Sequence, residues 1–157
     1  MADYEARIAP FINVEFYVTS YFGEPRTRKR PTQTELTLLH QVHGNNLYSM
    51  INGTIITKEY DAGGFGNYII IKGDEGKGFL YAHMREASPL AVGDTVKIGD
   101  YVGHEGTTGN SSGIHLHLEM QDLSNRNWII GANLSEYLNP ADFMGIPNES
   151  NISCIYN

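Results

Sequence analysis

The sequence predicts one mainly β domain, and three observations carry that expectation. Apolar and polar residues alternate strictly through Ile114, His115, Leu116, His117, Leu118, Glu119 and Met120, the period of a half-buried strand. Seventeen glycines and ten tyrosines, together with many Ile, Val and Thr residues, favour strands and tight turns over long helices. At 157 residues and 41% hydrophobic content, the chain has enough material for one core and too little for two.

Residues 1–13 read as an N-terminal segment, either a short helix or an arm that packs on the domain, with its weak apolar pattern ending at Pro10. The β domain spans 14–144. Its first strand runs from Val14 to Phe22 and stops at Gly23, followed by a basic loop as far as Pro31. Leu36 to Leu39 is a second apolar run. Leu47 to Met50 leads to Asn52-Gly53, a hairpin signal, and then to Thr54-Ile55-Ile56-Thr57-Lys58. Gly63-Gly64-Phe65-Gly66 is a glycine-rich loop before the strand Asn67 to Lys72. The turn Gly73 to Gly78 returns the chain through Phe79 to Met84, completing a hairpin.

Val92-Gly93-Asp94-Thr95-Val96 is echoed by Ile98-Gly99-Asp100-Tyr101-Val102. Two successive Gly-Asp turns on a small curved β-structure account for this, since the period is too short for a solenoid. Gly103 to Gly113 is loop-forming and feeds straight into the histidine strand. Ala132 to Leu138 would make one or two helical turns before Asn139-Pro140, and 145–157 reads as a loose polar tail.

The net charge of -7 argues against a nucleic-acid partner, which would require a basic surface. Arg26, Arg28, Lys29 and Arg30 depart from that balance; they form a solvated loop or meet an anionic wall polymer. The lone Cys154 cannot form an intrachain disulfide. No apolar run reaches membrane-spanning length, and Met1 to Glu5 lacks the basic and apolar regions of a secretory signal. Either the chain is not exported by that route, or it is a fragment of something larger.

Alternation sends Ile114, Leu116, Leu118 and Met120 toward a core and His115, His117 and Glu119 toward a groove. Two imidazoles on one face of a strand make a rigid platform for a ligand or a general base. Tyr81-Ala82-His83 supplies a third histidine, 34 residues before His117.

Taken in order, Val18-Thr19-Ser20-Tyr21-Phe22-Gly23, Asn52-Gly53-Thr54-Ile55, Gly66 to Ile71, Tyr81-Ala82-His83, Val92 to Asp100 and Gly106 to Glu119 resemble the lysostaphin/LytM-type zinc endopeptidases. The resemblance covers roughly residues 14 to 144. It implies a small antiparallel, barrel-like β-fold with a central groove, built as a duplicated hybrid motif with few short helices. It also implies cleavage of peptide cross-bridges in bacterial peptidoglycan. On this resemblance His117 matches a zinc ligand, while His83 and His115 match the pair that activates water and stabilises the tetrahedral intermediate. A zinc with an open coordination position lowers the pKa of bound water, which neighbouring imidazoles can then deprotonate.

The family's other two zinc ligands come from a His-x-x-x-Asp pattern that this chain lacks. One register puts Gln33 and Thr37 at those positions; a one-residue shift puts Thr34 and Leu38 there. Amide and hydroxyl oxygens are weak zinc donors, and leucine is none. His40, His43 and Glu35 are the nearby residues able to rescue a metal.

The sequence therefore favours a non-catalytic, cell-wall-facing binding or structural module, its groove formed by Gln33, Thr37, His83, His115 and His117. Peptidoglycan or another wall polymer is the expected partner, together with other subunits of a phage tail, virion or envelope assembly. No cofactor is expected in that case. An active zinc-dependent peptidoglycan endopeptidase using His83, His115 and His117 is the alternative. A carbohydrate-binding module using Tyr60, Phe65, Tyr68 and Tyr81 is a third reading.

Overall fold

A computed structural model describes residues 2–25 and 45–157 in full and 36–40 at the level of the backbone. The basic run Arg26 to Arg30 lies outside the described residues, as do Gln33, Thr34, Glu35 and His43. Twelve strands are present among the described residues: β1 Tyr4–Glu5, β2 Glu15–Ser20, β3 Leu36–His40, β4 Asn46–Tyr48, β5 Gly53–Asp61, β6 Gly66–Gly73, β7 Lys77–Met84, β8 Thr95–Val96, β9 Tyr101–His104, β10 Leu116–Asp122, β11 Tyr137–Leu138 and β12 Ile152–Ile155.

The fold is mainly β, as the sequence predicts, but the main sheet is open rather than barrel-like. Its strand order is β1-β12-β2-β3-β10-β7-β6-β5-β8, and β11 pairs with part of β10. β4 and β9 form a separate two-stranded sheet. All pairings are antiparallel except β1 with β12.

The core lies on one face of the main sheet. Leu116, Leu118 and Met120 of β10 meet Ile69, Ile71, Phe79, Tyr81, Phe16 and Val18 there, all essentially buried. Tyr81 donates from its hydroxyl to the Tyr48 carbonyl at 2.8 Å, which ties the small sheet to the large one. A second apolar cluster of Ile70, Leu80 and Ala82, with Phe65, Tyr68 and Trp128 against it, lies apart from that core.

The two Gly-Asp segments are one turn used twice. In each, the aspartate side chain accepts from a backbone N–H three residues back, Ala91 in the first and Lys97 in the second. The glycines carry φ values of +97° and +89°, as the third position of such a turn requires. Each turn then docks on a neighbour through a reciprocal backbone pair, the first on Ile55 and the second on Ser49.

Of the two alternatives for the N-terminal arm, the packed arm is the one present: β1 docks on β12, and the Ala6 N–H donates to Ile155 O at 2.8 Å. Three local expectations are corrected. The C-terminal tail is not loose. β12 pairs with β2 over four residues and buries Ile152 and Cys154, because its alternate residues extend the apolar face of β2. Asn52-Gly53 is not a hairpin turn, since β4 and β5 belong to different sheets; Asn52 Oδ1 instead accepts from Ile98 N at 2.9 Å. Finally, the segment from Ala132 makes only a 3-10 turn at Leu134–Glu136, and Asn139-Pro140 starts a helix rather than ending one. In α1, Pro140–Met144, the Asn139 side chain accepts from Ala141 N, proline takes the first turn, and Gly145 ends the helix in the left-handed region.

Burial pushes the Cys154 thiol up to about 11. A thiol reagent at pH 8 is expected to label Cys154 only after unfolding. Labelling of the native chain as fast as the denatured one would show that β12 is not docked.

Candidate functional site

β10 sits between β7 and β3, and this position brings the histidines together. His117 pairs directly with Ala82 on one side and with Thr37 on the other. Directly paired residues share a face of the sheet, so alanine at 82 leaves room for the His117 ring. Phe65 fills the space above that ring, with centroids 5.4 Å apart, and Tyr68 packs on Phe65 at 5.1 Å.

His83 reaches the cleft by breaking the strand rule. In a regular strand it would share a face with Tyr81, which points into the core. β7 instead carries one extra residue between its pairings of Tyr81 with Ile69 and Met84 with Asn67. Within that bulge His83 has φ +60°. A non-glycine residue in the left-handed region costs of order 1–3 kcal/mol and is held only by surrounding bonds. Here His83 N–H donates to Phe65 O at 2.7 Å, and ring Nδ1 lies 2.7 Å from Thr108 O. A carbonyl can only accept, so the Nδ1 proton is fixed and the basic lone pair falls on Nε2.

Two glycine loops hold this arrangement. The Thr108 hydroxyl donates to Met84 O and accepts from Asn67 N, while Asn110 N–H donates to Gly64 O. A Cβ on Gly66 would lie 2.4 Å from Thr108 backbone atoms, and one on Gly109 would lie 2.3 Å from Gly66 N. The loops interlock at a distance that only glycine permits.

His115 precedes β10 and forms an isolated bridge to Gly106, donating its N–H to Gly106 O at 3.1 Å. Its Nδ1 lies 2.8 Å from Gly113 O, which fixes the same tautomer as in His83. The His83 and His115 rings are 4.7 Å apart, and His83 meets His117 edge-on at 5.5 Å. The structure thus unites His83, His115 and His117.

Glu119 differs from expectation. It shares the His117 face but is only 2% exposed. Gln121, two residues further on, anchors the loop after β10: its Oε1 accepts from Arg126 Nη1 and Ile129 N, and its Nε2 donates to Ile129 O. His117 Nε2 lies 2.7 Å from Glu119 Oε2.

In the backbone register, position 36 pairs with Leu118, position 37 with His117 and position 38 with Leu116. His40 pairs with the buried Phe16. Among the described residues, no group of three or more His, Cys, Asp or Glu side chains is placed to hold a metal ion. Of the aromatic residues considered for stacking on sugars, Tyr81 is fully buried, Phe65 and Tyr68 are half-buried floor of the cleft, and Tyr60 is exposed on β5. Burial, and then the nearby Glu59 and Asp61 carboxylates, push the Tyr68 phenol up.

Residues 36–129 match the model of peptidase family M23, and the chain belongs to that family. It is 28% identical over 143 residues to an uncharacterised metalloprotease of Buchnera aphidicola, covering 83% of this chain and 37% of that protein. A 65-residue stretch is 42% identical to the DD-carboxypeptidase/endopeptidase Mpg of Neisseria meningitidis, covering 41% of this chain and 15% of the relative. The chain therefore spans well under half the length of these curated relatives. Its fold is shared with the catalytic domain of lysostaphin from Staphylococcus simulans, with a TM-score of 0.65, 23% identity, and coverage of 82% of this chain and 89% of that one. It is also shared with a chain of the SpoIIIAH–SpoIIQ complex, with a TM-score of 0.68, 20% identity, and coverage of 87% and 98%.

Gly109→Ala is expected to cost about 3 kcal/mol in urea unfolding, since both φ and the neighbouring backbone oppose a side chain. Ring ¹⁵N shifts should place the proton of wild-type His83 on Nδ1, and that signature should weaken in the variant. An unperturbed His83 would show that the interlocked loops do not hold it.

Proposed function

We propose that this M23-family domain binds the peptide part of bacterial peptidoglycan in the His83–His115–His117 cleft without cleaving it. The observation that carries the proposal is the register of β3 on β10. Position 37, directly opposite His117, holds threonine, a poor zinc donor, while position 38 is a leucine paired with Leu116. That register favours Gln33 and Thr37 as the residues standing where the family has a histidine and an aspartate. Rescue by His40 is disfavoured by its pairing with Phe16 of β2, beyond the segment of β3 that pairs with β10, whereas Glu35 and His43 lie outside the described residues. One strong ligand, His117, does not make a zinc site, because zinc takes three or four protein ligands in tetrahedral geometry. The donors at these positions do not fit the metal.

What remains is a rigid, partly desolvated cleft with an aromatic floor of Phe65 and Tyr68, suited to holding an extended peptide. A role at the cell wall, within a virion tail or an envelope assembly, follows from that reading. A second reading is zinc-dependent endopeptidase activity, with His83 and His115 as proton-transfer groups. It is favoured by their shared tautomer, which leaves Nε2 as the basic nitrogen of both rings.

Elemental analysis of the purified full chain should find well under one zinc per molecule, and peptidoglycan suspensions should not clear. The chain should sediment with intact sacculi, less so after His115→Ala. The double substitution Gln33→His with Thr37→Asp should gain zinc. Stoichiometric zinc, with clearing abolished by His117→Ala, would defeat the binding reading and establish the second.

A further inference from the structure

We infer that Glu119 is a positioning residue for the cleft, holding the His117 ring by Nε2–H so that its tautomer is opposite to that of His83 and His115. His117 and Glu119 are two apart on β10 and so share the cleft-side face. The Nε2 to Oε2 separation is 2.7 Å, the length of a charge-assisted hydrogen bond. The carboxylate is 2% exposed, and its other oxygen, Oε1, is buried without a hydrogen-bond partner. Among the described residues, the imidazole therefore makes the one hydrogen bond that the carboxylate receives. A buried acceptor with a single donor fixes that donor, because rotating the ring away would strand the carboxylate in an apolar site.

The surroundings make the contact obligatory rather than incidental. Leu80 pairs directly with Glu119 and Ala82 with His117, so β7 offers the carboxylate no polar side chain. Gln121, next on the same face and fully buried, is already committed to Arg126 and Ile129. Trp128, on the loop that Gln121 secures, packs against Ile70, Leu80 and Ala82, and Leu80 and Ala82 are the residues paired with Glu119 and His117. The three cleft histidines are thus oriented by three different acceptors: Thr108 O for His83, Gly113 O for His115 and the Glu119 carboxylate for His117.

The ring-level inference is independent of the peptide-binding proposal; only its effect on ligand binding rests on that reading. The test is ring-nitrogen NMR on the full chain labelled at histidine. Wild-type His117 should carry a slowly exchanging, downfield proton on Nε2. Glu119→Gln, which keeps an acceptor oxygen, should retain that signal, and Glu119→Ala should lose it. Binding to sacculi should fall by about tenfold in Glu119→Ala and stay within about threefold of wild type in Glu119→Gln. A wild-type His117 protonated on Nδ1 alone, or an unchanged Nε2–H signal in Glu119→Ala, would overturn the inference. If Glu119→Ala does not fold, the wild-type and Glu119→Gln spectra still decide it. Absence of sacculus binding by the wild type would refute the proposed function, leaving the ring measurement to judge Glu119.

Discussion

The seating of β10 between β7 and β3 is the constraint from which the rest of the site follows. Its core face, Leu116, Leu118 and Met120, is buried against the apolar core, and the period of two then commits His117, Glu119 and Gln121 to the other face. A slip of one residue would exchange these sets, sending a carboxylate and an imidazole into the core. The register is therefore strongly determined. With it is determined which residue of β3 stands beside His117, and that residue is Thr37.

Given that platform, the cleft is assembled by local departures from regularity, each held by specific bonds. His83 leaves the core face through a bulge and a left-handed backbone conformation. The strain is sustained by Phe65 O and Thr108 O, and those acceptors are fixed in turn by two loops packed glycine to glycine. The same loops set the tautomer of His83, while Gly113 O sets that of His115. The backbone thus prepares the imidazoles of an M23-family cleft before any ligand enters it.

Much of this was legible in the sequence. Strict alternation from Ile114 to Met120 predicted both the strand and its histidine face, and the ordered motifs predicted the family's fold and the convergence of His83 with His115 and His117. The bulge at His83 was not legible, since Phe79 to Met84 reads as an uninterrupted apolar strand. Glu119 was expected to line the groove. It is instead buried beside Gln121, whose side chain captures a loop five to eight residues further on, a pairing that periodicity does not encode. β12 was missed for a similar reason: a short run, Ile152 to Ile155, in polar surroundings gains its strand character only from the waiting edge of β2. Asn139-Pro140 reads as a stop because proline breaks helix interiors, whereas in the first turn it favours initiation.

The account turns on whether the position opposite His117 lacks a metal donor in fact as well as by residue type. Anomalous diffraction at the zinc edge, from wild-type crystals soaked in zinc, addresses that most directly. The account predicts no peak within coordination distance of His117. A strong peak there, completed tetrahedrally by side chains from 31–44, would contradict it and return the domain to the hydrolases.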